Sequence, residues 1–327
     1  MRFVVRRLAF YVVAIWAAVT VNFLIPRVMP GNAVDAILGK YQNLTPQGVK
    51  AIEAQFGVGH QGGIISEYFR YWGNVLHFNL GISTSEYPTH VSTIIGETLP
   101  WTLSLVGIAT ILSFAIGTLL GVAAAWRRGG WLDRLMPAFT LLQATPYFFL
   151  ALLLILLFAI KLNWLPAGEG YQLGLTEGFN WPFIHSAIEH ATLPALTIIV
   201  TSVGGWMLQM RNVMLTTISE DYILVSQAKG LNPRRVVFNY AARNAILPNI
   251  AGFALSLGFV VAGALVMEIV FSYPGVGLTL YNAVTSSDYP LLQGIFLVIS
   301  LAVLTASLLA DIVYVIADPR ARTRSAF

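Results

Sequence analysis

The residues whose types and spacing could carry function fall in two polar islands between long apolar runs. The first is Asp221-Tyr-Ile-Leu-Val-Ser-Gln-Ala-Lys-Gly230, with Arg243-Asn-Ala-Ile-Leu-Pro248 behind it. These side chains suit docking rather than bond-making. Ser219 can cap a helix, and Glu220 and Asp221 put negative charge on its first turn. Lys229 puts positive charge on the last turn, where the helix dipole favours it. Gly230 can take the left-handed conformation that ends a helix, and Asn232-Pro233 forbids continuation. Leu224, Ala228 and Leu231 fall on one face at i, i+4, i+7 spacing. The spacing predicts a helix of about two to three turns with a small apolar face. A free helix this short is marginal in water and needs a surface to dock on. The plainer alternative is an ordinary loop between two helices.

The second island is Glu268-Ile-Val-Phe-Ser-Tyr-Pro-Gly-Val-Gly277, in which Pro274-Gly275-Val-Gly277 predicts a tight turn. Glu268 and Asp311 are the acidic residues nearest the ends of apolar runs. A carboxylate in hydrocarbon is costly, so such residues pair or line water. A proton relay is one reading of them; a place near the outer end of one helix and the inner end of another is the one adopted. Nothing in the chain points to catalysis or to cofactor binding. There is no G-x-x-x-x-G-K-[ST], and none of Lys40, Lys50, Lys161 and Lys229 is followed by Ser or Thr, so no P-loop is available for ATP. H-E-x-x-H and G-x-S-x-G are absent as well. With no cysteine, disulfides and thiolate metal sites are excluded. His60 and His77 read as loop or interfacial histidines, and no metal site is expected.

The elements that must position these islands are membrane helices. Of 327 residues, 57% are hydrophobic and 10% charged, against about 25% charged in a soluble domain. The apolar runs are continuous rather than alternating, which indicates helices and not a barrel. Residues 8–26, 99–126, 135–160, 191–210, 245–267 and 289–310 are each about long enough to span, giving six helices. No small-x-small cleavage site follows the first run, so it is expected to stay as an uncleaved helix. With the N-terminus inside, the inner segments hold 14 of the 19 Lys and Arg residues, the bias that sets orientation. Both termini and the Asp221–Gly230 helix are then cytoplasmic, and the net charge of +4 reflects the membrane rather than nucleic acid. Residues 1–30 form the N-terminus and first helix, 31–96 an extracytoplasmic subdomain, and 97–327 the core, with a cytoplasmic loop over 215–245. Within 31–96, Thr45-Pro46 opens a helix through Gln55, and Tyr68–His77 is a second amphipathic segment. Gly117-x-x-x-Gly121 is a close-packing spacing.

The first island resembles the cytoplasmic coupling loop of permease subunits of bacterial ABC importers. Asp221-Tyr222, Ala228-Lys229-Gly230-Leu231 and Arg243–Pro248 are similar to the B-type permeases of the dipeptide, oligopeptide and nickel branch, which also includes oligosaccharide carriers. Leu224-Val225-Ser226 stands where the general motif has Glu-Ala-Ala. Phe23–Gly31 resembles the family's first-helix exit, with Asn32 where an acidic residue is usual. Phe78–Ser83 resembles its G-D-L-G-x-S element with Asn79 for Asp. Glu268–Gly277 resembles its E-x-x-F-x-x-P-G-x-G signature, and Asp288-Tyr-Pro290 and Asp311…Tyr314…Asp318-Pro-Arg320 its later motifs.

The resemblance implies the type I ABC importer permease fold. This chain would form half of a translocation pore with a second, homologous permease, and would be no enzyme. Two ABC ATPase subunits would bind ATP and Mg and dock on Asp221, Tyr222, Leu224, Ala228, Lys229, Gly230 and Leu231. A solute-binding protein outside would face Glu268, Phe271, Pro274, Gly275 and Gly277. Membrane lipid would surround the helices in the bacterial inner membrane, and no nucleic acid is involved. The cargo would be short peptides; the alternatives are a neutral oligosaccharide, with Trp72, Trp101, Trp164, Trp181 or Trp206 as stacking faces, or an ATP-independent secondary transporter.

Overall fold

The computed structural model of the protein describes residues 2–28, 63–260 and 265–317. The helix expected from Pro46 to Gln55, His60, Asn32 and the Asp318-Pro-Arg320 motif lie outside them. The described elements are α1 (Arg2–Val28), α2 (Ile64–Leu76), α3 (Val91–Trp126), α4 (Trp131–Ala144), α5 (Tyr147–Lys161), α6 (Trp181–Ile218) and α7 (Asp221–Ala228). A helical run, α8, follows as Pro233–Arg235, the π-helical Val236–Ala242 and Arg243–Phe259; then come α9 (Leu265–Val270), α10 (Val276–Thr285) and α11 (Tyr289–Ala317). Among the described residues the only β pairing is an isolated bridge between Ile82 and His90. The protein is an all-α integral membrane protein.

By length and apolarity three described helices can cross a bilayer: α3, α6 and α11. A fourth crossing results if α4 and α5 count as one. The first run, expected to span, is apolar over Ala9–Ile25 within the longer α1. The third run, expected as one span over 135–160, is instead broken by a 98° bend between α4 and α5. Pro146 is the cause. It has no N–H to continue the ladder, and it pushes Thr145 out of the helical region to φ −75, ψ 131.

The chain divides into two compact units. One comprises the described residues up to Thr102 together with Pro274–Thr305. In it α2 lies along α1. Phe23 meets the Tyr68 ring edge-on at 5.2 Å, and the Tyr68 hydroxyl pairs with Thr20 Oγ1 at 2.7 Å. Asn22 Nδ2 donates to the Tyr71 hydroxyl (2.9 Å) and to the Gln293 carbonyl (2.8 Å). Burial pushes the Tyr71 phenol up to about 12. Arg27 stacks on Phe23 and pairs with Glu67 at 2.7 Å. Tyr68 and Tyr71 are thus engaged in helix packing.

The same unit joins two motif fragments that are 205 residues apart. Asp288 is fully buried. Its Oδ2 accepts from Ser83 Oγ, from the Ser85 N–H (2.9 Å) and from Ser85 Oγ (2.6 Å), while Oδ1 accepts from the Leu291 N–H (3.1 Å). The carboxylate therefore caps α11 and holds the Ser83–Ser85 turn at once. Asn79, standing for the family's Asp, accepts from the Gly81 N–H at 3.3 Å.

The other unit comprises Leu103–Tyr273 with the described residues from Ala306 onward. Its α3 and α6 touch backbone to side chain. A Cβ at Gly117 would stand 2.6 Å from Trp206 Cβ, and one at Gly121 2.6 Å from the Met207 carbonyl oxygen. The Gly117-x-x-x-Gly121 spacing is a helix crossing, as small residues permit in lipid. Phe114 stacks on Phe253 at 4.3 Å and meets Trp206 edge-on at 5.3 Å. On α4, Asp133 Oδ1 accepts from Arg211 Nε and Nη2, both at 2.7 Å, and Oδ2 accepts from the Gly129 N–H at 3.0 Å. This ties the α3–α4 turn to α6.

Candidate functional site

The site is built around α7, whose eight residues begin at Asp221, with two residues separating it from the end of α6. The expected cap is absent: Glu220 occupies the N-cap position with no side-chain bond, and Ser219 closes α6 instead, donating through Oγ to the Thr216 carbonyl at 2.7 Å. Ser219 is bent back because α6 runs up to Ile218, leaving too few residues between the helices for it to cap the second. Asp221 does lie in the first turn.

The C-terminal end forms as its residue types dictate. Gly230 has φ +72, the left-handed region, where a side chain would be strained. Its N–H donates to the Gln227 carbonyl at 2.9 Å and the Leu231 N–H to the Ser226 carbonyl at 3.4 Å, the paired bonds of a Schellman cap. Lys229 is the C-cap residue itself. Asn232 then caps the next helix by accepting from the Arg234 N–H at 2.9 Å, with Pro233 in its first turn.

One side of α7 is anchored. Ile223 is fully buried and Ser226 nearly so. Ile223 inserts among Val122, Met210, Met214, Val236 and Ala241, all buried, contributed by α3, α6 and α8. Tyr222, Leu224, Val225, Ala228 and Lys229 are exposed, with Leu224 at 56% and Val225 at 51%. Leu231, expected on the same face as Leu224 and Ala228, lies beyond the left-handed turn and packs against the buried cluster. The exposed apolar face is therefore Leu224, Val225 and Ala228. The two predicted motif halves also meet: Asn244 Nδ2 donates to the Tyr222 hydroxyl at 3.0 Å and to the Tyr240 carbonyl at 3.1 Å. That bond and the Ile223–Ser226 anchor were missed from sequence; the i, i+3 pair Ile223 and Ser226 was the available signal for the anchor.

The second island is distributed over both units. In the larger unit Glu268 and Phe271 are buried, at 0% and 1% exposure. The Tyr273 N–H donates to the Glu268 carbonyl at 2.8 Å. Burial pushes the Tyr273 phenol up to about 12, and the Glu268 carboxylate adds to the rise. The Phe271 carbonyl accepts from the Glu169 N–H at 2.7 Å, and a Cβ at Gly168 would stand 2.3 Å from that oxygen. In the other unit Gly275 is the N-cap of α10, and the Val276 N–H donates to Thr102 Oγ1 at 2.9 Å. The tight turn itself falls earlier, at Ser272, with φ +48.

No group of three or more potential metal ligands occurs among the described residues. The arrangement offers docking surfaces and packed helices. Residues 117–323 match the family model described as binding-protein-dependent transport system inner membrane component. The chain is similar to a di/tripeptide transport system permease protein of Pseudomonas aeruginosa, 32% identical, with 98% of each chain covered. It is equally similar to a protein of Sinorhizobium fredii named as a probable peptide ABC transporter permease, 32% identical, covering 98% of this chain and 99% of that one.

Proposed function

The chain belongs to the binding-protein-dependent transport system inner membrane components, and from that premise we propose that it is the permease subunit of an ATP-driven importer of short peptides. The observation that carries the coupling role is α7, anchored by buried Ile223 and offering Leu224, Val225 and Ala228 to solvent beside Lys229. An ABC ATPase subunit on the cytoplasmic side covers that face. ATP and Mg bind to the ATPases, not to this chain. A second, homologous permease completes the pore, and two ATPases and an extracytoplasmic solute-binding protein complete the transporter. Residues 31–96 form the extracytoplasmic subdomain, and the core runs from 97, with the coupling loop over 215–245.

ATP closes the ATPase pair, α7 moves with it, and the membrane helices repack. Coupling is only as large as the difference in ATP affinity between the open and closed ATPase dimers. Because Ile223 is packed against three membrane helices, a displacement of α7 loads α3, α6 and α8 together. At the outer face the receptor meets the segment that begins at Pro274. Glu268 and Phe271 are buried and offer the receptor no surface.

The test is transport by the complete complex in proteoliposomes. The triple variant Leu224→Asp, Ala228→Asp, Lys229→Glu changes only exposed side chains. It is expected to insert normally but to lose receptor-stimulated ATP hydrolysis and peptide uptake. Normal uptake would remove α7 from the coupling role. Cargo is tested on the transporter's own solute-binding protein by thermal shift with di- and tripeptides, β-linked oligosaccharides and Ni²⁺; stabilisation by sugars alone would replace the peptide reading.

A further inference from the structure

A groove within the larger unit is lined by the last turns of α3, the start of α4 and the beginning of α8. Its volume is about 530 Å³, in the range of ligand clefts, roughly 300–1,000 Å³. The floor is apolar, from Leu119 and Ala123 on α3 to Phe238 on α8. Arg127, directly after the uncharged run of α3, and Arg234, at the start of α8, both line it. Arg211 nearby is satisfied by Asp133. Trp131 lines the groove and is 69% exposed.

Arg127 marks a level in the sequence, and Arg234 and Trp131 share it by lining the same groove. Residues 98–126 carry no charge, and Arg127-Arg128 follow at once. Tryptophan and arginine together mark the level where hydrocarbon gives way to headgroups. A cleft there with an apolar body and a two-guanidinium rim has the chemistry of one molecule: an anionic phospholipid. Its phosphate would sit between Arg127 and Arg234 and its acyl chain along Leu119 and Phe238.

We infer that this groove binds an anionic phospholipid, and that the bound lipid braces the α3–α4 turn against the segment that follows the coupling helix. Val122 and Val237 line both the groove and the cluster that holds Ile223, so an occupant is one side chain away from the α7 anchor. The inference rests on the orientation proposed above only for the leaflet, which is then the cytoplasmic one. Coupling becomes dependent on anionic lipid, through this chain rather than through the ATPases.

The experiment uses the complete transporter in nanodiscs of phosphatidylcholine alone or with phosphatidylglycerol. Retained lipids are counted by native mass spectrometry, and receptor-stimulated ATP hydrolysis is measured alongside. The wild type is expected to retain phosphatidylglycerol in preference to phosphatidylcholine and to hydrolyse faster in its presence. Arg127→Gln with Arg234→Gln should bind phosphatidylglycerol roughly 30-fold more weakly, two basic groups at about 1 kcal/mol each. Ala123→Phe fills the groove without changing charge and should also remove the lipid. Arg134→Gln, which removes an exposed charge outside the groove, should do neither. Equal phosphatidylglycerol retention by the double variant and the wild type overturns the proposal. So does loss of lipid in Arg134→Gln to the same extent, which would make the effect one of overall charge. In both of those outcomes receptor-stimulated hydrolysis in the wild type leaves the importer reading standing; its absence in both lipids would count against that reading instead.

Discussion

At the scale of residues, the chain uses glycine and buried polar groups as fixed points. Gly168 shows how tight one of these is. Its missing Cβ leaves room for the Phe271 carbonyl, which accepts from the next amide, Glu169. A methyl group 2.3 Å from that oxygen cannot be accommodated by a side-chain shift, because both neighbours are backbone. Gly168→Ala should therefore destabilise the fold by about 1–3 kcal/mol, the usual cost of overpacking. Thermal unfolding in detergent measures it. Gly174→Ala is not an equivalent control, since Gly174 has φ +91; Gly96→Ala is, having open space around it and an ordinary backbone. A Gly168→Ala melting temperature equal to that of Gly96→Ala would refute the tight contact. None of this was legible in the sequence. Residues 168 and 271 are far apart in the chain, and nothing in either local pattern says that they meet. Ser83 and Asp288 are a contrasting case: both were singled out by resemblance, yet only the fold reveals that one bonds the other.

At the scale of elements, α7 was the most legible part of the chain, because its ends depend on local chemistry. Gly230 in the left-handed region and Pro233 opening the next helix follow from residue type alone. The side of α7 that is buried depends on α3, α6 and α8, and the sequence of α7 contains no record of them. The bend between α4 and α5 is hidden in the sequence for a related reason. An apolar run long enough to span masks a proline that breaks it, and whether neighbouring helices or ordered water satisfy the freed carbonyls is a tertiary matter. The Asn244–Tyr222 bond makes a prediction at this scale. It is the hydrogen bond that runs from the α7 side chain Tyr222 to α8. Tyr222→Phe should cost about 0.5–1.5 kcal/mol and loosen α7 on its base without altering its exposed apolar face. ATP hydrolysis by the complete transporter should then continue with less peptide carried per ATP. Asn244→Leu, which keeps the volume but neither donor nor acceptor, should behave similarly, whereas an unchanged ratio of peptide to ATP in both variants would show that α7 is held by its buried Ile223–Ser226 side alone.

At the scale of the whole molecule, membrane character and helical class were open to inspection because they are sums over the chain. Composition and continuous apolar runs require no tertiary information, whereas the number of crossings does. In the described residues α6 alone has 38 residues, about 57 Å at 1.5 Å per residue. That is nearly twice the hydrocarbon thickness of about 30 Å, so part of it must stand in water or headgroups. Its polar residues divide between the ends: His185, Glu189 and His190 near one, Arg211 and Asn212 near the other. In the orientation proposed from the arginine excess, the second end, and with it α7, faces the cytoplasm. Since the chain has no cysteine, single introduced thiols can report this directly in intact cells and in inverted vesicles. Ala228→Cys is on exposed α7, and Leu173→Cys is 81% exposed in the segment before α6. A membrane-impermeant maleimide should label Leu173→Cys from outside intact cells and Ala228→Cys only in inverted vesicles of cells that make this chain without its ATPase subunits. Because α6 separates the two positions, a single crossing requires opposite labelling. Labelling of both from one side would mean that α6 does not traverse the bilayer, and the reverse pattern would place α7 away from ATP, where no ATPase could drive it.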